Sequence, residues 1–389
     1  MIALKGGKIV TVTGGTIENG VILVEDEKIA AIGTADTVAI PAEAEIIDVT
    51  GKWLTPGLID AHSHISTFGE PTPRPNIGDG NEITDPVTAQ LRSIESINPH
   101  DYGIQAAREA GFTTCYTGPG SANVIGGTGI AFKCKNGSDL YDIIIPGTEH
   151  MKMALGENPK NCYGGQKKMP QTRMAVAAVL RENLYNAKVY SDKLKEAESD
   201  PSKAPTPNFK LDALVPVVRG EMKVRIHCHR ADDITTAIRV AEEFHLDYSI
   251  EHCTEGYKIL DFLKEHNITC VIGPLLMEPA KMEIWGCRQD TPAKMEEAGI
   301  NFCLTRDTSS GTRWLPVDVG IAMARGLSEQ AAFESVTIRP AKLLGIADRV
   351  GSLEVGKDAD IAIFNGHPFC NFTLCEATMI EGKFEYSVL

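Results

Sequence analysis

Two segments of the chain repeat a spacing suited to metal chemistry: His62-Ser63-His64 and His227-Cys228-His229. In an extended strand, residues i and i+2 project to the same face, so both imidazoles of such a pair can reach one point. Two neutral imidazoles aimed together chelate a divalent cation. Two further residues occupy comparable places. His252 closes the run Tyr248-Ser249-Ile250-Glu251-His252, and Asp307 follows Asn301-Phe302-Cys303-Leu304-Thr305-Arg306. Four strand ends thus offer nitrogen or oxygen ligands to one place, and metal-assisted hydrolysis is the chemistry they suit. His100, His245, His266 and His367 fall in loops or helical stretches and read as structural.

The elements that must position these groups follow a β-α rhythm. Val224–Cys228 is followed by a helical pattern from Asp232 to Phe244, and the strand ending at His252 by a helical stretch near Tyr257 to Glu265. The run Ile268–Ile272 stops at Gly-Pro, Thr291-Pro292 opens a helix that ends at Gly299, and Asn301–Leu304 is the next strand. Repeated β-α units imply parallel pairing, in number enough to close a (β/α)8 barrel, although a doubly wound sheet has the same local pattern. Residues 156–212 break the rhythm with a Gly/Lys-rich loop, a helix around Arg173 to Glu196 and a Ser/Pro-rich tip, and read as an insertion. The first fifty residues are short β-type runs between glycine and acidic turns. The stretch from Gly351 to Phe364 resembles them, so both ends are expected to build one small β domain.

Composition narrows the function. The chain has 389 residues, with 52 Asp and Glu against 38 Lys and Arg, a net charge of −14. That acidity argues against a general nucleic-acid binder, because phosphate neutralisation needs surplus cations. No apolar run approaches the roughly 20 residues that span a bilayer. The first residues lack a signal-peptide pattern, and the ten cysteines contain no C-x-x-C pair. A reduced, cytoplasmic enzyme is expected, acting on a small molecule and assembling as a homo-oligomer. Gly126-Gly127-Thr128-Gly129 lacks the spacing of a nucleotide loop, and Ser309-Ser310-Gly311 lacks a nucleophile elbow.

The segment Leu54-Thr55-Pro56-Gly57-Leu58-Ile59-Asp60-Ala61-His62-Ser63-His64, with His227, His252 and Asp307 in that order, resembles the amidohydrolase superfamily. The likeness is nearest to its imidazolonepropionase-related branch, which includes Xaa-Pro dipeptidase-like members, and it covers nearly the whole chain. It implies an α/β fold: a distorted TIM barrel over residues 54–349 and a small β-sandwich domain from residues 1–53 and 350–389. It also implies two divalent cations, expected to be zinc. His62, His64 and Asp307 would hold the first, and His227 and His252 the second. A carboxylated lysine on the fourth strand would bridge them, and Lys152 falls at that place, with Glu157 as the reserve carboxylate. His229 shares a face with His227; His227 is taken as the ligand from the family pattern, and His229 as a substrate contact.

The resemblance further implies hydrolysis of a carbon–nitrogen bond by metal-activated hydroxide, with Asp307 orienting the water and carrying its proton. Related mononuclear deaminases carry a glutamate three residues after the fifth-strand histidine; counted from His227 that residue is Arg230. An arginine cannot serve as that acid, whereas it suits bidentate pairing with a substrate carboxylate. The expectation is therefore an amide, peptide or cyclic-amide hydrolase, ahead of a deaminase or an imidazolonepropionase. A catalytically silent binding protein is the remote reading, since all six ligand candidates are present.

Overall fold

The computed structural model describes residues 1–70, 78–137 and 139–389. Both chain ends meet in one sheet. The N-terminal part contributes β1 (Ile2–Val10), β2 (Thr16–Glu25), β3 (Lys28–Thr34), β4 (Glu45–Asp48) and β5 (Trp53–Pro56). These runs are rich in Val and Ile, which pack well on a pleated, half-buried surface. Leu54 of β5 lies opposite Ile9 of the parallel β1 and opposite Ile363 of an antiparallel C-terminal strand. Leu4, Ile9, Ile22, Leu54, Ile361 and Met379 form the core of this region.

The second sheet carries the histidines. Its strands are β6 (Leu58–Ser63), β7 (Phe112–Thr117), β8 (Ile125–Lys133), β9 (His150–Ala154), β10 (Val224–Cys228), β11 (Tyr248–His252), β12 (Cys270–Ile272) and β13 (Phe302–Leu304). They pair in sequence order as eight strands, and β13 comes back against β6, nearly closing the barrel. Helices α1 (Tyr102–Glu109), α2 (Glu157–Gly165), α3 (Arg173–Ser199), α4 (Phe209–Val218), α5 (Ala231–Glu243), α6 (Leu260–Glu265) and α7 (Thr291–Ala298) lie between strands. After β13 come α8 (Leu315–Ala324), α9 (Glu329–Ser335) and α10 (Ile338–Leu343). The chain then returns to the terminal sheet as β14 (Ile361–Phe364), β15 (Cys375–Ile380) and β16 (Lys383–Ser387), in the order β16-β15-β14-β5-β1-β2-β3 with β4 beside β1. The two chain ends thus build the small β domain together, as expected. No helix among the described residues is long and apolar enough to cross a membrane.

The expectation of uniformly parallel pairing fails at one strand. β8 runs antiparallel to both β7 and β9. Residues 118–124, between β7 and β8, are too few for the crossover of a dozen or more residues that a parallel neighbour needs. The glycine-rich segment Gly126–Gly129 lies inside this strand. Gly127 has φ +107°, and a Cβ there would sit 2.4 Å from the Leu91 carbonyl oxygen, so the chain crosses close overhead.

The insertion resolves into α2, α3 and α4. Thr172 caps α3, accepting from the Ala175 N–H, and Asn208 caps α4. Buried Val176, Leu180, Leu184 and Ala187 line the inner side of α3, which packs on α4 and α5. α2 instead reaches the mouth of the barrel. At the end of β8, buried Lys133 ties the barrel to the terminal sheet, 2.8 Å from Asp360 and 3.2 Å from Asp358.

Candidate metal centre

Two clusters of ligand-type residues gather at the carboxyl ends of the barrel strands: His62, His64 and Asp307, and beside them His227, His229 and His252. They adjoin each other. The rings of His62 and His252 are 5.1 Å apart, and Asp307 Oδ2 lies 3.9 Å from His252 Nδ1.

The first cluster is pinned by neighbours that settle where its protons lie. His62 Nδ1 meets Glu251 Oε2 at 2.5 Å, and His64 Nδ1 meets the Gly118 carbonyl at 2.8 Å. Burial pushes the Glu251 carboxyl up, but Arg225 and the His62 contact outweigh it and hold it well below the usual carboxylate range. Carboxylate and carbonyl can only accept, so both Nδ1 atoms carry protons, and each ring in its neutral form turns an Nε2 lone pair towards Asp307. Each Nε2 lies 3.1 Å from Asp307 Oδ1, and that buried oxygen has no hydrogen-bond partner. Burial raises Asp307 too, yet His252, His62 and His64 bring it well below its ordinary value. With both rings neutral, two nitrogen lone pairs and a carboxylate oxygen converge on one point, an arrangement that a cation among them would stabilise. The donor set therefore fits a divalent metal.

The second cluster has a different outer shell. His252 Nδ1 donates to the Gly273 carbonyl at 2.8 Å, which leaves its Nε2 free. Gly273 has φ +143°, and a Cβ there would collide with the Thr305 carbonyl at 1.9 Å, so only glycine brings that acceptor into place. His229 Nδ1 pairs with Thr254 Oγ1 at 2.7 Å. His227 uses both nitrogens, Nδ1 with Ser121 Oγ at 2.8 Å and Nε2 with Asn158 Nδ2 at 3.2 Å. Burial lowers all three imidazoles, His252 to about 3, which keeps them neutral and able to ligate. His252 and Asp307 have φ of 69° and 51°, left-handed values that side-chain-bearing residues rarely adopt. Such strain persists where surrounding structure enforces it, commonly at working sites.

The remaining sequence-derived candidates divide. Lys152 lies on β9, buried, with Nζ 3.4 Å from His62 Nε2. Burial lowers its amine to about 8, against the pull of Asp307 and Glu251. The Glu157 carboxylate accepts the Glu283 N–H at 3.3 Å, so it belongs to a loop contact. Arg230, expected to meet a substrate carboxylate, is not brought to the clusters. It caps α5, is about half exposed, and its Nε and Nη2 both lie 2.9 Å from the Asp232 carboxylate two residues on.

Several residues at the site carry no motif. Glu251 was visible only as a strand residue, yet it orients His62 and pairs with Arg225 at 2.7 and 2.8 Å. Strand alternation was the available signal, since His227 pairs with Glu251 across β10 and β11. Asp60 accepts from the His62 N–H at 3.1 Å, from Thr305 Oγ1 at 2.7 Å and from Thr312 Oγ1 at 3.0 Å, tying the first barrel strand to the segments on either side of Asp307. Burial pushes its carboxyl up to about 6. Lys281 and Glu283 come from the loop after β12, with Lys281 Nζ 2.8 Å from Asn158 Oδ1 and 2.7 Å from Glu283 Oε1. A cavity of about 890 Å3, bordered by Leu91, Thr128 and Phe209, has none of the cluster residues in its walls. Chemistry rather than cavity size locates the centre.

Residues 53–388 match the model of the amidohydrolase family. A crystal structure of an amidohydrolase from Thermotoga maritima MSB8 superposes with a TM-score of 0.94 at 37% identity, over 100% of both chains. The amidohydrolase tasK of Hapsidospora irregularis is 27% identical over 90% of this chain, which spans only 38% of that relative's length. The imidazolonepropionase of Geobacillus kaustophilus is 24% identical, with 90% of this chain and 85% of the relative covered.

Proposed function

The chain belongs to the amidohydrolase family, hydrolases of carbon–nitrogen bonds, and from that premise we propose that it is a binuclear metal-dependent enzyme cleaving small amides, peptides or cyclic amides. One observation carries this reading: a buried, unpartnered Asp307 oxygen 3.1 Å from two Nε2 lone pairs, adjoining a second set of three neutral imidazoles.

His62, His64 and Asp307 would hold one cation, and the histidines of β10 and β11 the other. Bound there, divalent cations supply a hydroxide at neutral pH and polarise a carbonyl. The rest is the work of the protein. Glu251 and the Gly118 carbonyl fix the tautomers of His62 and His64, so no reorganisation is needed when substrate arrives. Asp307, held ionised, accepts a proton from the attacking water and returns it to the leaving nitrogen. Lys152, beside His62 and with its amine lowered to about 8 by burial, is the residue that would carry a carbamate: addition of carbon dioxide to the deprotonated amine, with release of one proton, would supply an anionic oxygen ligand. Lys281, paired with Glu283 and Asn158 beside the second cluster, is the cation assigned to an acidic group of the substrate, which would have to replace its Glu283 contact.

Deamination fits less well on either count of the motif. Three residues after His227 stands Arg230. Three after His229 stands Asp232, an acid, but it is exposed and paired with Arg230. Cyclic-amide hydrolysis of the imidazolonepropionase type is the second reading, favoured by the relative of that name. The test is a screen of zinc-loaded protein against dipeptides, N-acyl amino acids and cyclic amides, with Asp307→Asn as control. Turnover of one class, abolished in D307N, is expected. Turnover retained by D307N would contradict the assignment, as would amine release from aminopurines or aminopyrimidines alone.

A further inference from the structure

The loop between β12 and α7 places a carboxylate at the second cluster that the implied ligand set does not contain. Glu283 is 2% exposed. Its Oε1 lies 3.7 Å from His229 Nε2 and 4.0 Å from His227 Nε2, distances too long for hydrogen bonds. Its position is built. Oε2 accepts the Glu157 N–H at 2.8 Å, and Glu157 Oε2 accepts the Glu283 N–H at 3.3 Å. Gly156, at φ +89°, leaves the needed room, because a Cβ there would lie 2.7 Å from Glu283 Oε2. Ligand atoms bound tetrahedrally to zinc at about 2.0–2.1 Å stand about 3.4 Å from each other. The Glu283 oxygen exceeds that spacing by about 0.3 Å at His229 and about 0.6 Å at His227, so a small side-chain shift brings it to both.

We propose that Glu283 is a metal ligand, and that it joins His227 and His229 in holding the second cation at the cluster that also contains His252. The proposal rests on the binuclear reading above and goes beyond it in using both histidines of the His-x-His pair together with a loop residue. It also assigns a task to Lys281. Its ammonium lies 2.7 Å from the same Glu283 Oε1, so Lys281 and the cation compete for one oxygen. Binding of the cation frees Lys281 to face the substrate.

The experiment is a Co2+ titration of the full-length, metal-stripped protein, followed by visible absorption and elemental analysis. Wild type should take up two equivalents. Glu283→Gln should weaken the second equivalent at least about tenfold and alter its visible bands, leaving the first equivalent unchanged. Lys281→Met should tighten the second equivalent by removing the competitor. Should E283Q fail to fold, as judged by melting of the metal-free protein, K281M decides: tighter binding supports the ligand role and unchanged binding overturns it. Wild-type affinity and bands in a folded E283Q overturn this inference alone. A single equivalent in wild type overturns both it and the binuclear reading.

Discussion

The two histidine clusters face one another across a few ångströms but are built in different ways. The first takes its ligands from strand ends and the turn after β13, and orients them with a buried carboxylate and a backbone carbonyl. The second is oriented by two hydroxyls, an amide and a carbonyl, and it borders a loop and the start of α2. Charged, buried orienters fix one arrangement strongly; neutral hydroxyls fix it weakly. The lesson is a division of labour. On the proposed reading, the first cluster is the rigid part of the centre, and the second, bordered by a loop and α2, is the part that loop changes reach.

Substitutions can break that comparison. The largest effect is expected at Asp307, whose oxygen lies in the first cluster and whose carboxylate is proposed to carry the proton; D307N should lower kcat about 10⁴-fold. A loss below tenfold would remove it from the reaction. Next comes Glu251→Gln, which leaves Arg225 buried without its ion partner. Breaking such a pair costs about 3–5 kcal/mol, and losing the His62 orienter costs about 10–100-fold in metal affinity. Urea unfolding and metal titration read these separately, and a change in neither would deny Glu251 its role. Thr254→Val makes the matching cut in the second cluster, removing the hydroxyl partner of His229, and should cost about tenfold or less in metal affinity. A T254V effect exceeding that of E251Q would reverse the comparison.

The opposite end of the barrel yields a pH test. Burial pushes Asp358 up, but Lys28, Lys133 and Arg349 together hold it below its ordinary value of 3.8. A carboxylate lowered on folding stabilises the fold above its unfolded value, and that contribution is lost as pH falls through the folded value. The stability gap between wild type and D358N should be constant at neutral pH and shrink below about pH 4 in urea melts. A gap that widens in acid would contradict the assignment. The smallest effect belongs to Arg230→Ala, which should change kcat/KM less than about twofold, since the side chain is spent on Asp232. A large rise in KM would return Arg230 to the substrate.

Much of this was legible in the residues. His62 and His64 could be paired because period-two alternation is local, and His252 and Asp307 because they close apolar runs that could only be strands. What escaped was non-local. Glu251 is one residue from His252, but its partner His62 lies 189 residues away in the chain, and no spacing encodes that contact. Lys281 and Glu283 sit in a loop whose path follows from packing against α2 rather than from any periodicity. The antiparallel course of β8 was hidden because its glycines carry no strand pattern, and Gly127 instead serves close approach by the segment around Leu91. Arg230 shows the converse: its nearest acid is two residues away, and in the fold the two are paired.

The central claim is that two cations are held at these clusters, and the most direct measurement is the metal content of the purified, reconstituted chain by elemental analysis. Two equivalents per chain are predicted, falling to one when His229 and His252 are both replaced by alanine. One equivalent in wild type, or two retained in the double variant, would contradict the account.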